Sequence, residues 1–162
     1  MLFKKYISLT ASLHKDFYVE PSFKISSLGA FKATDYYSLQ WNHHNINTAE
    51  AVNAVGNQLN NTVVAVLDEG SPTKNSGVYN AIDFVDGGYD FIDDDSDPTG
   101  PSVNNHGTHV AGIIAADNTK EYINGMSVRV LPIRVLGPNG GSTEGIINGL
   151  KYAGGETNSS GT

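Results

Sequence analysis

Two side chains in this sequence are of the types that move protons, and each stands where an element of structure is expected to end or begin. Asp68 closes the apolar run 62–67, and His106 opens the string His-Gly-Thr-His-Val-Ala-Gly at 106–112. An imidazole can accept the proton of a hydroxyl group, and a buried carboxylate can hold that imidazole in the required tautomer. The pair therefore indicates two members of a proton-relay site whose third member would be a nucleophilic hydroxyl group.

The apolar pattern predicts the strands that would position this pair. Residues 62–67 (TVVAVL) and 128–136 (VRVLPIRVL) are continuous apolar runs rich in β-branched residues, which is typical of parallel strands buried on both faces. Residues 89–92 are a shorter strand candidate. Because the proline at Pro132 cannot donate to a strand ladder, we expect a bend or an unpaired position there.

Helices are predicted between and before these strands. Apolar residues recur at helical spacing over 110–116 and 146–153. Asn47 or Thr48 can cap a short helix that ends at Gly56, and Glu50 follows Asn47 by three residues in a variant of the capping box. Strands and helices that alternate at this spacing favour the α/β class, here a partial doubly wound parallel sheet with flanking helices. Ligands of such sheets gather at the carboxyl ends of the strands, where Asp68 stands.

Composition limits the kind of protein. A chain of 162 residues with 39% apolar residues is one domain or a piece of one. The net charge of −7 argues against nucleic acid as a partner, and the absence of cysteine excludes disulfides. No run reaches the ~20 apolar residues of a membrane span. The basic N-terminus leads into a weakly apolar stretch interrupted by hydroxyl residues, so we predict no functional signal peptide.

Three segments together resemble the subtilisin-like serine proteases (subtilases). VVAVLDEG, NNHGTHVAGIIAA and LPIRVLGPNGGSTEGIINGLKYA resemble, in order and spacing, the first half of that family's catalytic domain. Residues 35–41 resemble the start of the mature domain, and residues 18–23 resemble the end of its inhibitory propeptide. The resemblance divides the chain into a leader or propeptide remnant at 1–34 and the N-terminal part of a subtilisin-like peptidase domain at 35–162. It implies serine endopeptidase activity with Asp68 as the orienting acid and His106 as the general base.

The resemblance also implies binding residues. Residues 140–142 would form an edge strand that pairs with the backbone of a polypeptide substrate, which assigns substrate binding to Gly140, Gly141 and Ser142. Carboxylates alternate in the loop before His106 at a spacing suited to a hard cation, and some subtilases bind calcium there. The calcium ligands carried over are Asp90, Asp93, Asp95, Asp97 and Thr99. The alternative interpretations are an ordinary turn for the glycines and a solvated acidic loop for the carboxylates.

Glu69 departs from the family pattern, in which a serine or threonine follows the catalytic aspartate. A second carboxylate beside the imidazole favours its charged form, so we expect Glu69 to raise the pKa of His106.

The family's Gly-Thr-Ser-Met-Ala nucleophile motif does not occur in this sequence. We therefore expect a chain truncated before the nucleophile and inactive alone. Two alternatives stay open: a catalytically silent peptide- and calcium-binding fragment, and one half of a split protease. The family implies an extracellular monomer with no membrane partner.

Overall fold

The computed structural model describes residues 31–71, 81–100, 106–118 and 123–156. Residues 1–30 of the predicted leader and the tail 157–162 lie outside the described residues. The helices and strands, in chain order, are α1 (Trp41–Asn45), α2 (Thr48–Val55), β1 (Val63–Asp68), β2 (Asp83–Phe84), β3 (Tyr89–Asp90), α3 (His106–Ala115), β4 (Arg129–Arg134) and α4 (Thr143–Ala153), with short 3-10 segments at Tyr37–Leu39 and Gly56–Asn61.

The four described strands form one parallel sheet in which β4 is central. Strand β1 runs along one side of β4 over its full length, while β2 and β3 pair in turn with the other side. In this register Asp68 of β1 and Asp90 of β3 are both partners of Arg134. The carboxyl ends of three strands therefore meet at one edge, and each end carries a charged side chain.

Helices cover both faces of this sheet. The core cluster on one face combines α3 with β1, β4 and β2, and its buried members are Val66, Phe84, Ala111, Ala115, Val128 and Val130. Helix α4 lies against the other face of the sheet. A Cβ added to Gly149 in this helix would meet Val135, Leu67 and Ile133, which are odd-numbered, whereas the strand residues of the core cluster are even-numbered. Successive strand residues thus bury opposite faces. The predicted α/β fold with a doubly wound parallel sheet is confirmed.

Pro132 lies inside the central strand without disrupting its pairing to β1. Residues Arg129 and Val135 at the two ends of β4 donate their N–H groups toward β1, whereas the carbonyls of Val130 and Arg134 accept from the side of β2 and β3. Since residues of one parity share a side of a parallel strand, Pro132 faces β2 and β3, at the level between their two short pairings. The unpaired position expected for this proline is the one that the structure shows.

Three local predictions differ from the structure. Strand β2 was not predicted, because only two residues of a turn-rich stretch pair with β4. Strand β3 ends at Asp90 rather than at Ile92, because the Asp90 side chain accepts the N–H groups of Ile92 and Asp93 and turns the chain. Helix α2 ends at Gly56 as predicted, but the predicted cap is wrong, since Asn47 has φ 52° and its side chain makes no capping hydrogen bond.

None of the helices in the described residues combines the length and the apolar character needed to cross a membrane.

Candidate active site

The structure brings Asp68 and His106 into direct contact. Asp68 is the last residue of β1, and His106 is the first residue of α3. The His106 Nδ1 atom lies 2.8 Å from Asp68 Oδ1 and 2.9 Å from Asp68 Oδ2. The Asp68 side chain is 11% exposed, whereas the His106 side chain is 67% exposed. A shielded carboxylate thus holds one ring nitrogen while the rest of the imidazole faces solvent.

Backbone contacts fix the carboxylate. The Asp68 carbonyl accepts the N–H groups of Val135 and Leu136 at 2.9 and 3.1 Å, so the end of β4 anchors the end of β1. The Glu69 N–H donates to Asp68 Oδ1 at 2.8 Å. Hydrogen bonds therefore fix both the main chain and the side chain of Asp68, and His106 is the freer partner of the two.

Glycines allow the helix to start this close to the strand. A Cβ on Gly107 would lie 2.4 Å from the Gly70 carbonyl oxygen and 3.1 Å from the Asp68 Cβ. Gly70 itself has φ +104°, and a Cβ there would lie 2.5 Å from the Gly100 nitrogen. Only residues without side chains permit this crossing of three backbone segments. The string His-Gly at 106–107 in the sequence was the available signal for this close approach.

The contact with Asp68 changes the pKa of the His106 imidazole. The hydrogen bond to Asp68 and the negative charge of that residue raise the pKa of His106, and the charge of Glu69 raises it further by a smaller amount. The direction agrees with the effect that we expected of Glu69, but Asp68 is the principal cause. The imidazolium form is favoured while the carboxylate faces it.

The loop that we predicted to bind calcium is organised around an arginine. Arg134 Nη1 donates to Asp90 Oδ2 and to Asp93 Oδ2, each at 2.6 Å. Burial lowers the pKa of Arg134, but the bonds to the two carboxylates outweigh it and the pKa is raised. Among the described residues, no three histidine or acidic side chains are grouped so that they could hold a metal ion.

Two members of the expected ligand set, which comprises Asp90, Asp93, Asp95, Asp97 and Thr99, are thus engaged by Arg134. Calcium binding stays a prediction of the resemblance. The role of Arg134 was missed at the sequence level, although an arginine inside the apolar run 128–136 was a signal for a buried ionic partner.

Gly140, Gly141 and Ser142 do not form the edge strand that we predicted. Gly140 makes an isolated bridge to Gly137 within a tight turn, with φ +87°. Ser142 is the N-cap of α4, where its Oγ accepts the Gly145 N–H at 2.9 Å. These contacts account for the residues structurally, and the assignment to substrate binding stays a prediction.

A buried polar network attaches the N-terminal segment to the domain. Asn124 has no exposed surface, and its Oδ1 accepts from the backbone and hydroxyl of Thr34 at 2.9 and 2.7 Å. Gln40 bonds to both the N–H and the carbonyl of Asn124. Nearby, the buried His43 lies with Nδ1 2.9 Å from Thr48 Oγ1, and burial lowers the pKa of His43. Thr34 and Gln40 are thus held by a residue more than 80 positions later in the sequence.

The chain combines a parallel α/β sheet with an aspartate–histidine pair at the carboxyl edge of that sheet, and proteins of similar sequence identify its family. The profile of the subtilase family of peptidases matches residues 59–159. This match covers more than half of the chain, and the chain therefore belongs to the subtilase family.

Individual relatives agree with the family. The chain is 35% identical over 144 residues to the thermophilic serine proteinase of Bacillus sp. (strain AK1), a match covering 84% of this chain and 33% of that protein. It is 42% identical over 106 residues to the major intracellular serine protease of Bacillus subtilis (strain 168), covering 62% of this chain and 32% of that protein. A solved protease structure from Pseudoalteromonas arctica PAMC 21717 is similar with TM-score 0.62 and 28% identity, over 80% of this chain and 46% of that one.

The chain spans about a third of the length of these two curated relatives. Two similar proteins are named as extracellular proteases, and one is named as an intracellular protease.

Proposed function

We propose that this chain is the N-terminal part of the catalytic domain of an extracellular serine endopeptidase, and that Asp68 and His106 are two of its three catalytic residues. The observation that carries the proposal is the contact of His106 Nδ1 with both carboxylate oxygens of Asp68 at 2.8 and 2.9 Å. The similarity to named serine proteases supports the same reaction. The nucleophilic serine would come from a complementary C-terminal part of the catalytic domain.

The geometry fits the proton transfers of acyl transfer by a serine. Because Asp68 engages Nδ1, the Nε2 atom is the one left to accept the proton of the serine hydroxyl as its oxygen attacks the substrate carbonyl. The carboxylate then stabilises the imidazolium, which later returns that proton to the leaving amine. His106 must begin this cycle neutral. Its raised pKa therefore moves the onset of activity to higher pH, and activity is expected to rise as the pH passes that pKa.

A completed domain tests the proposal. Residues 31–162 would be joined to the complementary C-terminal part of the Bacillus subtilis major intracellular serine protease, the relative at 42% identity. Hydrolysis of a chromogenic peptide amide should appear in the joined protein. His106→Ala should reduce it by about 10⁴-fold or more, which is the size of effect that triad residues have in subtilisin itself.

His109→Ala is the matched control, since His109 is an exposed histidine of the same helix and should leave the rate within about twofold. If His106→Ala hydrolysed the substrate as fast as its parent, the assignment of the general base would be wrong. The two parts mixed as separate chains test the split-protease alternative, because activity in the mixture would show that the halves assemble. A soluble joined protein that binds peptide without cleaving it would favour the silent fragment.

The DNA that follows the codon for Thr162 gives a second, inexpensive test. A Gly-Thr-Ser-Met-Ala motif in frame or after a frameshift supports truncation of a protease. The same motif in a separate reading frame supports a split enzyme, and its absence supports the silent fragment.

A further inference from the structure

The acidic loop 90–99 is tied to the centre of the sheet by one guanidinium group. Arg134 ends β4, and its side chain is 7% exposed. Its Nη1 atom lies between Asp90 Oδ2, on a side chain 2% exposed, and Asp93 Oδ2, on a side chain 62% exposed. A buried carboxylate such as Asp90 requires a charged or hydrogen-bonding partner, and here Arg134 supplies the charge.

The remaining carboxylates of the loop bond mainly to its own backbone. Asp90 Oδ1 accepts two backbone N–H groups of the following turn, and Asp95 Oδ1 accepts the Asp97 N–H at 2.8 Å. Asp97 Oδ1 accepts the backbone N–H of Thr99 at 3.1 Å and also its hydroxyl group. Each of these carboxylates thus serves the local structure of the loop or the arginine.

Calcium needs six to eight oxygen ligands converging at about 2.3–2.6 Å. The point at which Asp90 and Asp93 converge holds the Arg134 nitrogen, 2.6 Å from one oxygen of each. A divalent cation placed there would meet the guanidinium charge at contact distance, so Arg134 excludes it from the point that Asp90 and Asp93 share.

We propose that Arg134 is a built-in cation that holds the loop 90–99 in place, so that the order of this loop does not depend on calcium. The loop and Asp68 flank the same residue of β4, so the loop that Arg134 holds lies beside the edge of the sheet that carries the aspartate–histidine pair. The side chain of Arg134 bonds to Asp90 and Asp93.

Thermal unfolding of the full chain in CaCl₂ and in EGTA tests this proposal without any assay of proteolysis, so its outcome is independent of the proposed function. The wild-type midpoint should agree within about 1 °C between the two conditions, since a ligand that does not bind the native state does not shift it. Arg134→Met keeps the length of the side chain and removes its charge. It should lower the midpoint in EGTA by about 10 °C, and calcium should restore part of that loss.

Arg129→Met is the matched control on the same strand. Its guanidinium forms a pair with Asp83 at 3.4 Å and is 43% exposed, so this change should move the midpoint by no more than about 2 °C.

Calorimetric titration of the wild-type chain with CaCl₂ decides the matter even if Arg134→Met does not fold, because it needs no variant. The absence of saturable heat up to millimolar calcium supports the built-in cation. Saturable binding that Asp93→Asn abolishes would overturn it, and so would a midpoint that calcium raises by about 4 °C or more in the wild type but not in Asp93→Asn. Saturable binding that Asp93→Asn leaves unchanged would place the ion elsewhere and leave Arg134 as the holder of this loop.

Discussion

The substitution Gly107→Ala has two opposite effects on stability. The added methyl group obstructs the close approach of helix α3 to β1, whereas alanine is intrinsically favoured over glycine within a helix. The added Cβ would lie 2.4 Å from the Gly70 carbonyl oxygen and 3.1 Å from the Asp68 Cβ. An ordinary carbon–oxygen contact is about 3.4 Å, so the start of the helix would have to retreat by about 1 Å. A displacement of this size would stretch the hydrogen bond of 2.8 Å between His106 and Asp68 beyond its useful range.

Two energies of opposite sign decide the result. Alanine is favoured over glycine within a helix by about 1 kcal/mol. Forcing a methyl group into a filled space costs about 1–3 kcal/mol, and the upper part of that range applies because the obstructing atom belongs to the backbone. We therefore expect a net loss of about 2 kcal/mol, which corresponds to a melting temperature about 4–8 °C lower for a chain of this size.

Thermal unfolding and the NMR titration of His106 measure the two consequences. The pKa of His106 should fall toward its ordinary value in Gly107→Ala, because the bond to Asp68 is the main cause of its increase. Gly112→Ala in the same helix is the control, since its Cβ would meet at closest the flexible Cδ1 of Ile123 at 3.3 Å. A Gly107→Ala variant that is as stable as Gly112→Ala, and whose His106 titrates as in the wild type, would refute a steric role for this close approach.

Three further predictions follow from the polar contacts. Asp68→Asn should lower the pKa of His106 by NMR. Since that pKa is raised in the folded state, the stabilisation is complete below the ordinary value and is lost as the pH rises through the raised one, so urea unfolding of the variant should lack this dependence. His43 has a lowered pKa caused mainly by burial, so the wild type should lose stability as the pH falls below the ordinary histidine value, and His43→Gln should not show this loss. Ser142→Ala should reduce the free energy of unfolding by about 1 kcal/mol through loss of the cap to Gly145, whereas Ser142→Asp should retain it.

Long apolar patterns predicted the main strands and helices of this fold. The elements that were not predicted depend on contacts with particular neighbours. The strand that ends at Asp68 and the helix that follows His106 are each specified by several residues of one periodicity. By contrast, β2 contains two residues that become a strand only because β4 lies beside them. Asn47 has the residue type of a cap, but its left-handed backbone prevents the capping bond, and sequence spacing does not encode that conformation.

The candidate site divides in the same way. The pair of Asp68 and His106 could be predicted because strand ends and helix starts of a parallel sheet share one edge. The calcium ligands were predicted from the resemblance and from spacing within the loop. The partner of Asp90 and Asp93 lies more than forty residues away in sequence, at Arg134, and local spacing does not indicate it. Ser142 was assigned to substrate binding from the resemblance, and its contact as the cap of α4 was not predicted, because that contact depends on where the helix begins.

Pro132 makes the alignment of the central strand asymmetric. In the observed register its missing N–H group faces away from β1, and every hydrogen bond to that neighbour can form. A slip of one residue would exchange the two sides of β4 and turn the proline toward β1, where the pairing would lose a donor. The same slip would move Arg134 from its place beside Asp68. Pro132 thus disfavours the shifted registers, in which Asp68, Asp90 and Arg134 would no longer be paired at the same edge of the sheet.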